Sequence, residues 1–575
     1  MSVALKKVER PRELNWFQAG AMLYGDWGTS KAYVLGIAFA LAGHASWFFL
    51  GLMSLLTALV GACYTIICHI YPDGGGVYSS VRHTSRTLAV IGAFLLIADY
   101  CVTVSLSTLD AFHYFNVPYP EKWAVLSILA IGMINWVGPS KAGSLAVVIG
   151  LLASASAGIL FLSTLPALPH VTLTWPTGGL FKNWSTFVGI VLALSGVEAI
   201  ANMTGIMKEP VQKTSRKAIW PVLLEVSLLT FLLGIAMNAI PGLTDHTEDM
   251  LRALANHYIG PWYGVLISVI FGFLLLSAAN TAISDLVSIQ FLMAKDRELP
   301  SAFARLNHFG MPGIPLIIAT AVPALVLVIE HDIVRLASFY AIGVVGAITL
   351  NLGSCALNKH IQIKRSERLL LGFSAAILLF IEITIAFEKH NALFFALTVL
   401  SIGLTLRFIA KTFVAAPVAV SLMELEVLTV SEAKEIAPLY RSSSLVALKT
   451  LNLNLLDETA LRIKALGENS VYISYVEETP PARDLPIDIE PSVESLKLLS
   501  DALQEMEKRG ITAVPLWQFG ENPGKMIALA AKDLGVKTVM IGTTQRSALV
   551  NLLRGDVLRN LARNLPRDCH LVISG

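Results

Sequence analysis

The sequence predicts an all-α polytopic membrane protein with twelve transmembrane helices, followed by a cytoplasmic α/β domain. The 575-residue chain is 55% hydrophobic and only 15% charged, whereas soluble domains carry about 25% charged residues. Its charge is uneven: residues 441–575 contain 16 Lys/Arg and 16 Asp/Glu, and the first 440 residues contain the other 52 charged side chains. Long apolar stretches fill the first part, and strand-like and helix-like segments alternate in the second.

Twelve apolar stretches approach or exceed the roughly 20 residues that a spanning helix needs. They lie near 15–40, 46–70, 86–112, 121–137, 142–165, 184–205, 218–240, 262–292, 314–329, 334–357, 368–386 and 392–410. We therefore divide the chain into a transmembrane domain at 1–411, a linker at 412–440 and a cytoplasmic domain at 441–575.

The loop charges predict the orientation. With the N-terminus inside, the cytoplasmic segments hold 18 Lys/Arg and the opposite loops hold four, as the positive-inside rule requires. Twelve spans then place both termini in the cytoplasm of a protein of the cell membrane. The start of the chain leads directly into a membrane segment, so no cleavable signal peptide is expected. A net charge of +2 gives no indication of nucleic-acid binding.

The second part alternates between two kinds of segment. The strand candidates are LVALKTL, VYISYV, TAVPLW, KTVMIG and HLVIS, and the helix candidates lie at 455–466, 492–510, 523–534 and 547–564. Such alternation predicts a parallel, doubly wound sheet.

The first predicted helix contains charged residues, which cost about 2.5–3.5 kcal/mol each in a membrane and usually face the bundle interior. Asp26 and Tyr33 are seven residues apart and share a face, whereas Lys31 points roughly 140° away from Asp26. Gly25 and Gly28 flank Asp26 in the sequence GDWG, and glycine weakens a helix by about 1 kcal/mol relative to alanine. This pattern is typical of the broken helices that line ion sites in transporters.

Three further helices present oxygen atoms at helical spacing. They are Asp99, Thr103 and Ser107 in the third helix, Ser195 and Glu198 in the sixth, and Tyr340 in the tenth. Carboxylates, hydroxyls and phenols suit a hard cation stripped of water, and the set lacks the imidazole and thiolate ligands of transition-metal sites.

Structural interpretations stand beside these. Asp26 could be paired only with Lys31, and the hydroxyls could bond their own helix backbone. Asn280 and Asp285 in the eighth helix are interpreted as structural, or as a gate near the cytoplasmic end.

Several motifs carry a resemblance to known transporters. GDWGTSKAY (25–33) is similar to the first-helix signature of the KUP potassium transporters. The stretches YPDGGGVY (71–78), LLIADYCVTVSLS (95–107), SGVEAIAN (195–202), SAANTAISD (277–285) and FYAIGVV (339–345) resemble those of KimA-like bacterial potassium importers. Both groups belong to the amino acid–polyamine–organocation (APC) superfamily. The resemblance implies a leucine-transporter-like fold with a five-plus-five inverted repeat.

The resemblance also implies a function and a site. It implies a secondary transporter, not an enzyme, that imports potassium by symport with protons and needs no cofactor. Potassium would contact Asp26, Tyr33, Asp99, Thr103, Ser107, Ser195, Glu198 and Tyr340, with Ser195 in place of a threonine. Removal from water disfavours the charged form of a carboxylate, so we expect Glu198 to carry the proton. Lys31 has no charged counterpart in the signatures. The helical angle favours a side chain that points away from the site, but the break in the helix leaves open that Lys31 lines it, which would favour the permease described below.

The tail resembles universal stress proteins, whose nucleotide-binding members carry the motif G-x2-G-x9-G-(S/T). Gly542 and Gly555 fit the motif, but Gln545 replaces its second glycine and Asp556 its final hydroxyl residue. An acidic side chain disfavours a phosphate at that position, so we expect weak or no ATP binding. The resemblance implies a homodimer formed through this domain, and regulation by cyclic di-AMP.

Two other functions stay open. In an amino-acid or amine permease of the same superfamily, the freed backbone at Gly25, Gly28 and Gly196 would hold a substrate carboxylate. Asp26 and Glu198 disfavour that anion, although they could hold an amine. In a membrane sensor, the tail would detect a nucleotide and transport would be vestigial.

Overall fold

The structure is a computed structural model. It describes residues 8–9, 12, 14–138, 142–171, 173–194, 196–240, 243–307, 309–412, 427–440, 442–478, 488–489, 491–520, 522–543, 551 and 555–574. Two residues singled out above, Ser195 and Gln545, lie outside the described residues.

Each of the twelve predicted apolar stretches contains helix. The helices of this part are α1 (Trp16–Trp27), α2 (Ser30–Ala42), α3 (Ser46–Ile70), α4 (Val77–Val81), α5 (Arg86–Tyr114), α6 (Pro120–Val137), α7 (Ala142–Thr164), α8 (Leu180–Val188), α9 (Ala199–Asn202), α10 (Val211–Ala236), α11 (Met250–Tyr258), α12 (Pro261–Lys295), α13 (Gly313–Ile329), α14 (Ile333–Leu357), α15 (Arg365–Glu388) and α16 (His390–Thr412). By length and composition, eight helical units among the described residues can cross a membrane, or nine if a bent pair forms one span. This number takes Trp16–Ile70 as a single unit and leaves out α13, a shorter apolar helix of 17 residues.

The long helix α5 lies at the centre of the bundle, where it packs against α12 and α14. Small residues allow the close approach. A Cβ added at Gly343 in α14 would lie 2.9 Å from both the Cβ and the backbone nitrogen of Asp99 in α5. Atoms that close would have to shift, so glycine at this position lets α14 reach the carboxylate-bearing turn of α5.

The first and sixth predicted helices are interrupted, and their interruptions meet. α1 ends at Trp27 and α2 begins at Ser30. The sixth predicted helix divides into α8, short 3-10 turns and α9, with a bend of 44°. Gly196 takes the left-handed φ of +85°, and a Cβ there would lie 2.8 Å from the backbone nitrogen of Trp27. The backbones of the two breaks are therefore in direct contact.

The tail forms the predicted parallel sheet. Its strands are β2 (Ser444–Leu448), β3 (Ser470–Glu478), β5 (Thr512–Gly520), β6 (Thr538–Gly542) and β7 (His570–Ser574), in the order β5-β3-β2-β6-β7, whereas β1 (Val8–Glu9) pairs with β4 (Asp488–Ile489) in a separate antiparallel ribbon. The helices are α17 (Val430–Tyr440), α18 (Leu453–Ala465), α19 (Val493–Lys508), α20 (Pro523–Leu534) and α21 (Val557–Asn564). Most of 547–556, the first half of the last predicted helix, lies outside the described residues.

Successive residues of the strands enter two different apolar cores. Leu445 and Ala447 belong to the core shared with α20 and α21, whereas Val446 and Leu448 belong to the core shared with α18 and α19. Side chains of a strand alternate between faces, so helices cover both faces and the sheet is doubly wound, as predicted.

One element of the tail was not predicted. The backbone of Leu428 pairs with the strand residue Leu516, and the helix α17 that follows contributes Ala433 to the first core. The end of the predicted linker thus packs as part of the α/β domain.

Candidate functional site

A small cavity lies where the two interrupted helices meet α5, α12 and α14. Its volume is about 20 Å³, and about 10–15 Å³ suffices for one water molecule. It is therefore large enough for a single small species. The lining residues are Asp26, Asp99, Tyr100, Thr103, Gly196, Glu198, Ala199, Ala278, Thr281, Ala282, Asp285 and Tyr340.

Five of the eight predicted site residues line this cavity, namely Asp26, Asp99, Thr103, Glu198 and Tyr340. Asp99 and Glu198 are 1% and 3% exposed. Among the described residues, neither carboxylate oxygen of Asp99 has a hydrogen-bond partner, and Oε2 of Glu198 has none either. A buried polar atom without a partner is costly, so these oxygens are available to a cation or a proton.

The other three predicted residues differ in their placement. Ser195 lies outside the described residues. Tyr33 and Ser107 are buried but do not line the cavity. At 1.5 Å rise per residue, Tyr33 is about 10 Å along the helix from Asp26, and Ser107 about 12 Å from Asp99. Tyr33 and Ser107 therefore share a helix face with Asp26 and Asp99 but lie at a different level along the helix axis.

Thr103 fits both of its predicted interpretations. Its hydroxyl donates a hydrogen bond to the backbone oxygen of Asp99 over 2.9 Å, as the structural interpretation expected. The same oxygen keeps lone pairs that can accept or coordinate, and Thr103 lines the cavity. The backbone bond therefore orients the oxygen without using up its capacity as a ligand.

Sequence reasoning missed one wall of the cavity. Asp285 was interpreted as structural or as a gate, yet it lines the cavity with Tyr100 and Thr281. The spacing of Thr281 and Asp285, one helical turn apart on α12, is a signal that could have found this wall.

Asn280 is structural, as predicted. It accepts a hydrogen bond of 2.7 Å from the side chain of Asn135, which joins α12 to α6. Its neighbour Thr281 lines the cavity. The polar residues of α12 therefore belong to two surfaces, the contact with α6 and the cavity wall.

Lys31 points away from the cavity into a separate buried cluster. Its Nζ lies 2.7 Å from both carboxylate oxygens of Glu225 in α10 and donates to the hydroxyl of Tyr24 over 3.0 Å. The Tyr24 hydroxyl in turn donates to Glu225 over 3.0 Å. Lys31 therefore has partners other than Asp26. The sequence analysis did not identify Glu225 as a partner of Lys31, although it is the single charged residue of 218–240.

The altered nucleotide motif of the tail has a structural counterpart. Asp556 caps α21, and its side chain accepts a hydrogen bond of 3.1 Å from the backbone nitrogen of Arg559. A helix N-terminus is where a nucleotide phosphate would otherwise bind. The carboxylate satisfies that donor and places negative charge where a phosphate would have to sit.

Comparisons with known proteins agree with this two-part organisation. The family described as "Amino acid permease" matches residues 14–413, and the "Universal stress protein family" matches residues 453–572. A curated relative, the potassium transporter KimA of Bacillus subtilis (strain 168), is 27% identical over 446 residues, which are 70% of this chain and 71% of KimA. Since the permease match spans more than half of the chain, the protein belongs to the amino acid permease family of membrane transporters and carries a C-terminal universal stress protein domain.

Proposed function

We propose that this transporter imports potassium by symport with protons. The observation that carries the proposal is the cavity of about 20 Å³ whose wall includes four carboxylate side chains, Asp26, Asp99, Glu198 and Asp285. Such a space and such a charge suit one dehydrated monovalent cation. The similarity to a protein named as a potassium transporter supports the same substrate.

Potassium would be held by oxygen atoms from four segments of the chain. We assign the carboxyl groups of Asp26, Asp99 and Glu198 as ligands, with further coordination from Thr103 and Tyr340, which line the same cavity. Ser195, outside the described residues, stays a candidate ligand. Tyr33 and Ser107 were predicted as ligands, but they do not line the cavity and are not assigned to this ion. Asp285, added by the structure, would contribute charge from α12. The freedom of both Asp99 oxygens from hydrogen bonds among the described residues supports this role.

The number of carboxylates supports proton coupling. Four negative charges around one potassium ion would repel one another strongly in a space of low dielectric constant. Protons must therefore neutralise some of them. Glu198 is our candidate for the coupling proton, because it is 3% exposed, its Oε2 has no hydrogen-bond partner among the described residues, and it shares the cavity wall with Asp26 and Asp285. For symport, Glu198 would hold its proton while potassium is bound in the cavity, and both ions would be released together on the cytoplasmic side.

We further propose the arrangement in the cell membrane. The twelve helical stretches would cross it twelve times as a leucine-transporter-like five-plus-five inverted repeat, with both termini cytoplasmic. The universal stress protein domain would form a homodimer and respond to cyclic di-AMP. The carboxylate cap of Asp556 supports regulation by a ligand other than ATP at the usual site.

Uptake into proteoliposomes tests the proposal. Purified protein should accumulate radioactive potassium or rubidium, and an inward proton gradient should accelerate uptake. The Glu198→Gln variant should transport without responding to that gradient. In cells, expression should rescue a potassium-uptake-deficient bacterium at low potassium. A well-expressed protein that fails in both systems would refute potassium import.

A second candidate is an amino-acid or amine permease, because the matched family is described by that substrate class. A cavity of about 20 Å³ lined by four carboxylates does not suit an amino acid and its anionic group. Thermal-shift measurements in potassium, sodium and single amino acids separate the two. Selective stabilisation by an amino acid would favour the permease.

A further inference from the structure

A buried cluster of Tyr24, Lys31 and Glu225 bridges the break in the first transmembrane helix. Tyr24 belongs to α1, Lys31 to α2 and Glu225 to α10. The Tyr24 ring also packs on the break itself, because a Cβ at Gly28 would lie 2.6 Å from a ring atom. Glu225 thus contacts both halves of the helix that carries Asp26.

The cluster is closed to water on the side of the ammonium group. The Lys31 side chain is 0% exposed and the Glu225 side chain 18%. The Lys31 ammonium also lies 5.0 Å from the centre of the Tyr24 ring, a cation–π distance. A buried charge of this kind depends on its partner, and removal of one partner leaves an uncompensated charge.

That charge lies close to the candidate cation site. Lys31 follows Asp26 by five residues, which is about 7–8 Å along a helix axis. An unneutralised positive charge at about 10 Å, with an effective dielectric constant of about 20, would weaken binding of a monovalent cation by roughly tenfold. Paired with Glu225, the ammonium presents the site with a dipole whose field falls off much faster.

We propose that Glu225 is a charge-compensating residue of the transporter. It neutralises Lys31, so that a lysine can sit in the cation-binding helix without repelling the cation. Its bonds to Tyr24 and Lys31 also join both halves of that helix to α10. This inference rests on the proposed transport of potassium and names the group that sets its affinity.

Three variants test the idea in proteoliposomes, by potassium uptake at a series of concentrations. Glu225→Gln should raise the KM for potassium by about tenfold, with Vmax per folded protein changed less. Lys31→Met should not raise KM, because it removes the repelling charge. The double variant Lys31→Met/Glu225→Gln should return KM to within about threefold of wild type, since replacement of a buried ion pair by neutral residues is commonly tolerated.

The outcomes separate this inference from the proposed function. Glu121→Gln, at the start of α6, is the matched control and should behave as wild type. Rescue in the double variant is the readout that a purely structural ion pair would not give. If wild type transports potassium and Glu225→Gln keeps its KM, or the double variant stays as impaired as Glu225→Gln, the inference is overturned. If wild type transports no potassium, it is the proposed function that fails.

Discussion

Gly196→Ala should weaken cation binding by displacing one helix break from the other. Gly196 has φ of +85°, and an alanine held in the left-handed region costs about 1–2 kcal/mol. Its Cβ would lie 2.8 Å from the nitrogen of Trp27 and 2.9 Å from the carbonyl carbon of Asp26. Both are rigid backbone atoms, so the break at Asp26 must move by several tenths of an ångström. Overpacking of this kind adds about 1–3 kcal/mol.

That movement changes the shape of the cation site directly, because Asp26 and Gly196 both line the cavity. We expect the KM for potassium to rise at least tenfold, which corresponds to about 1.4 kcal/mol of lost binding, and the melting temperature in detergent to fall. The assay is rubidium uptake in proteoliposomes, normalised to folded protein. Gly158→Ala in α7 is the matched control, since a Cβ there meets no heavy atom within 4 Å. A wild-type KM in Gly196→Ala would refute the close-packed arrangement of the two breaks.

Four further predictions follow from single contacts. Asp285→Asn should raise the KM for potassium by roughly tenfold, about 1.4 kcal/mol, because it removes a carboxylate from the cavity wall; uptake kinetics check this, and an unchanged KM would return Asp285 to a structural role. Asn280→Ala should cost about 1 kcal/mol of stability by losing the bond to Asn135 and leave KM unaltered, as measured by thermal shift and uptake. Arg407→Ala should destabilise the protein by about 2 kcal/mol, because Glu298, only 4% exposed, loses its partner at 2.5 Å and keeps Lys411 at 3.3 Å; a melting temperature equal to that of wild type would contradict it. Asp556→Ala should cost about 1 kcal/mol through loss of the cap of α21, and calorimetry of the full-length protein should detect no ATP binding before or after the change.

Most of the architecture followed from local sequence properties. Apolar length predicted where the helices form, because a membrane helix satisfies its own backbone hydrogen bonds. Alternation of strand and helix predicted the parallel sheet of the tail. Helical spacing correctly placed Asp99 and Thr103 on one face, because one helix decides their relation.

What sequence could not supply were the contacts between distant segments. The partner of Lys31 is Glu225, which lies 194 residues further along the chain. Spacing within the first helix predicted only that the side chains of Lys31 and Asp26 point in different directions. Similarly, the depth of Ser107 and Tyr33 relative to the cavity depends on where the breaks of two helices meet. Asp285 reached the cavity wall because α12 packs along α5, a relation that no local pattern encodes.

The central claim is that the carboxylate-lined cavity binds potassium and couples its import to protons. The most direct test measures potassium uptake into proteoliposomes of wild-type protein and Glu198→Gln, with and without an inward proton gradient. We predict that the gradient accelerates potassium uptake by wild type severalfold. Uptake by Glu198→Gln should be the same with and without the gradient. Absence of potassium uptake by folded wild-type protein, or an unaltered response of Glu198→Gln to the gradient, would contradict the account.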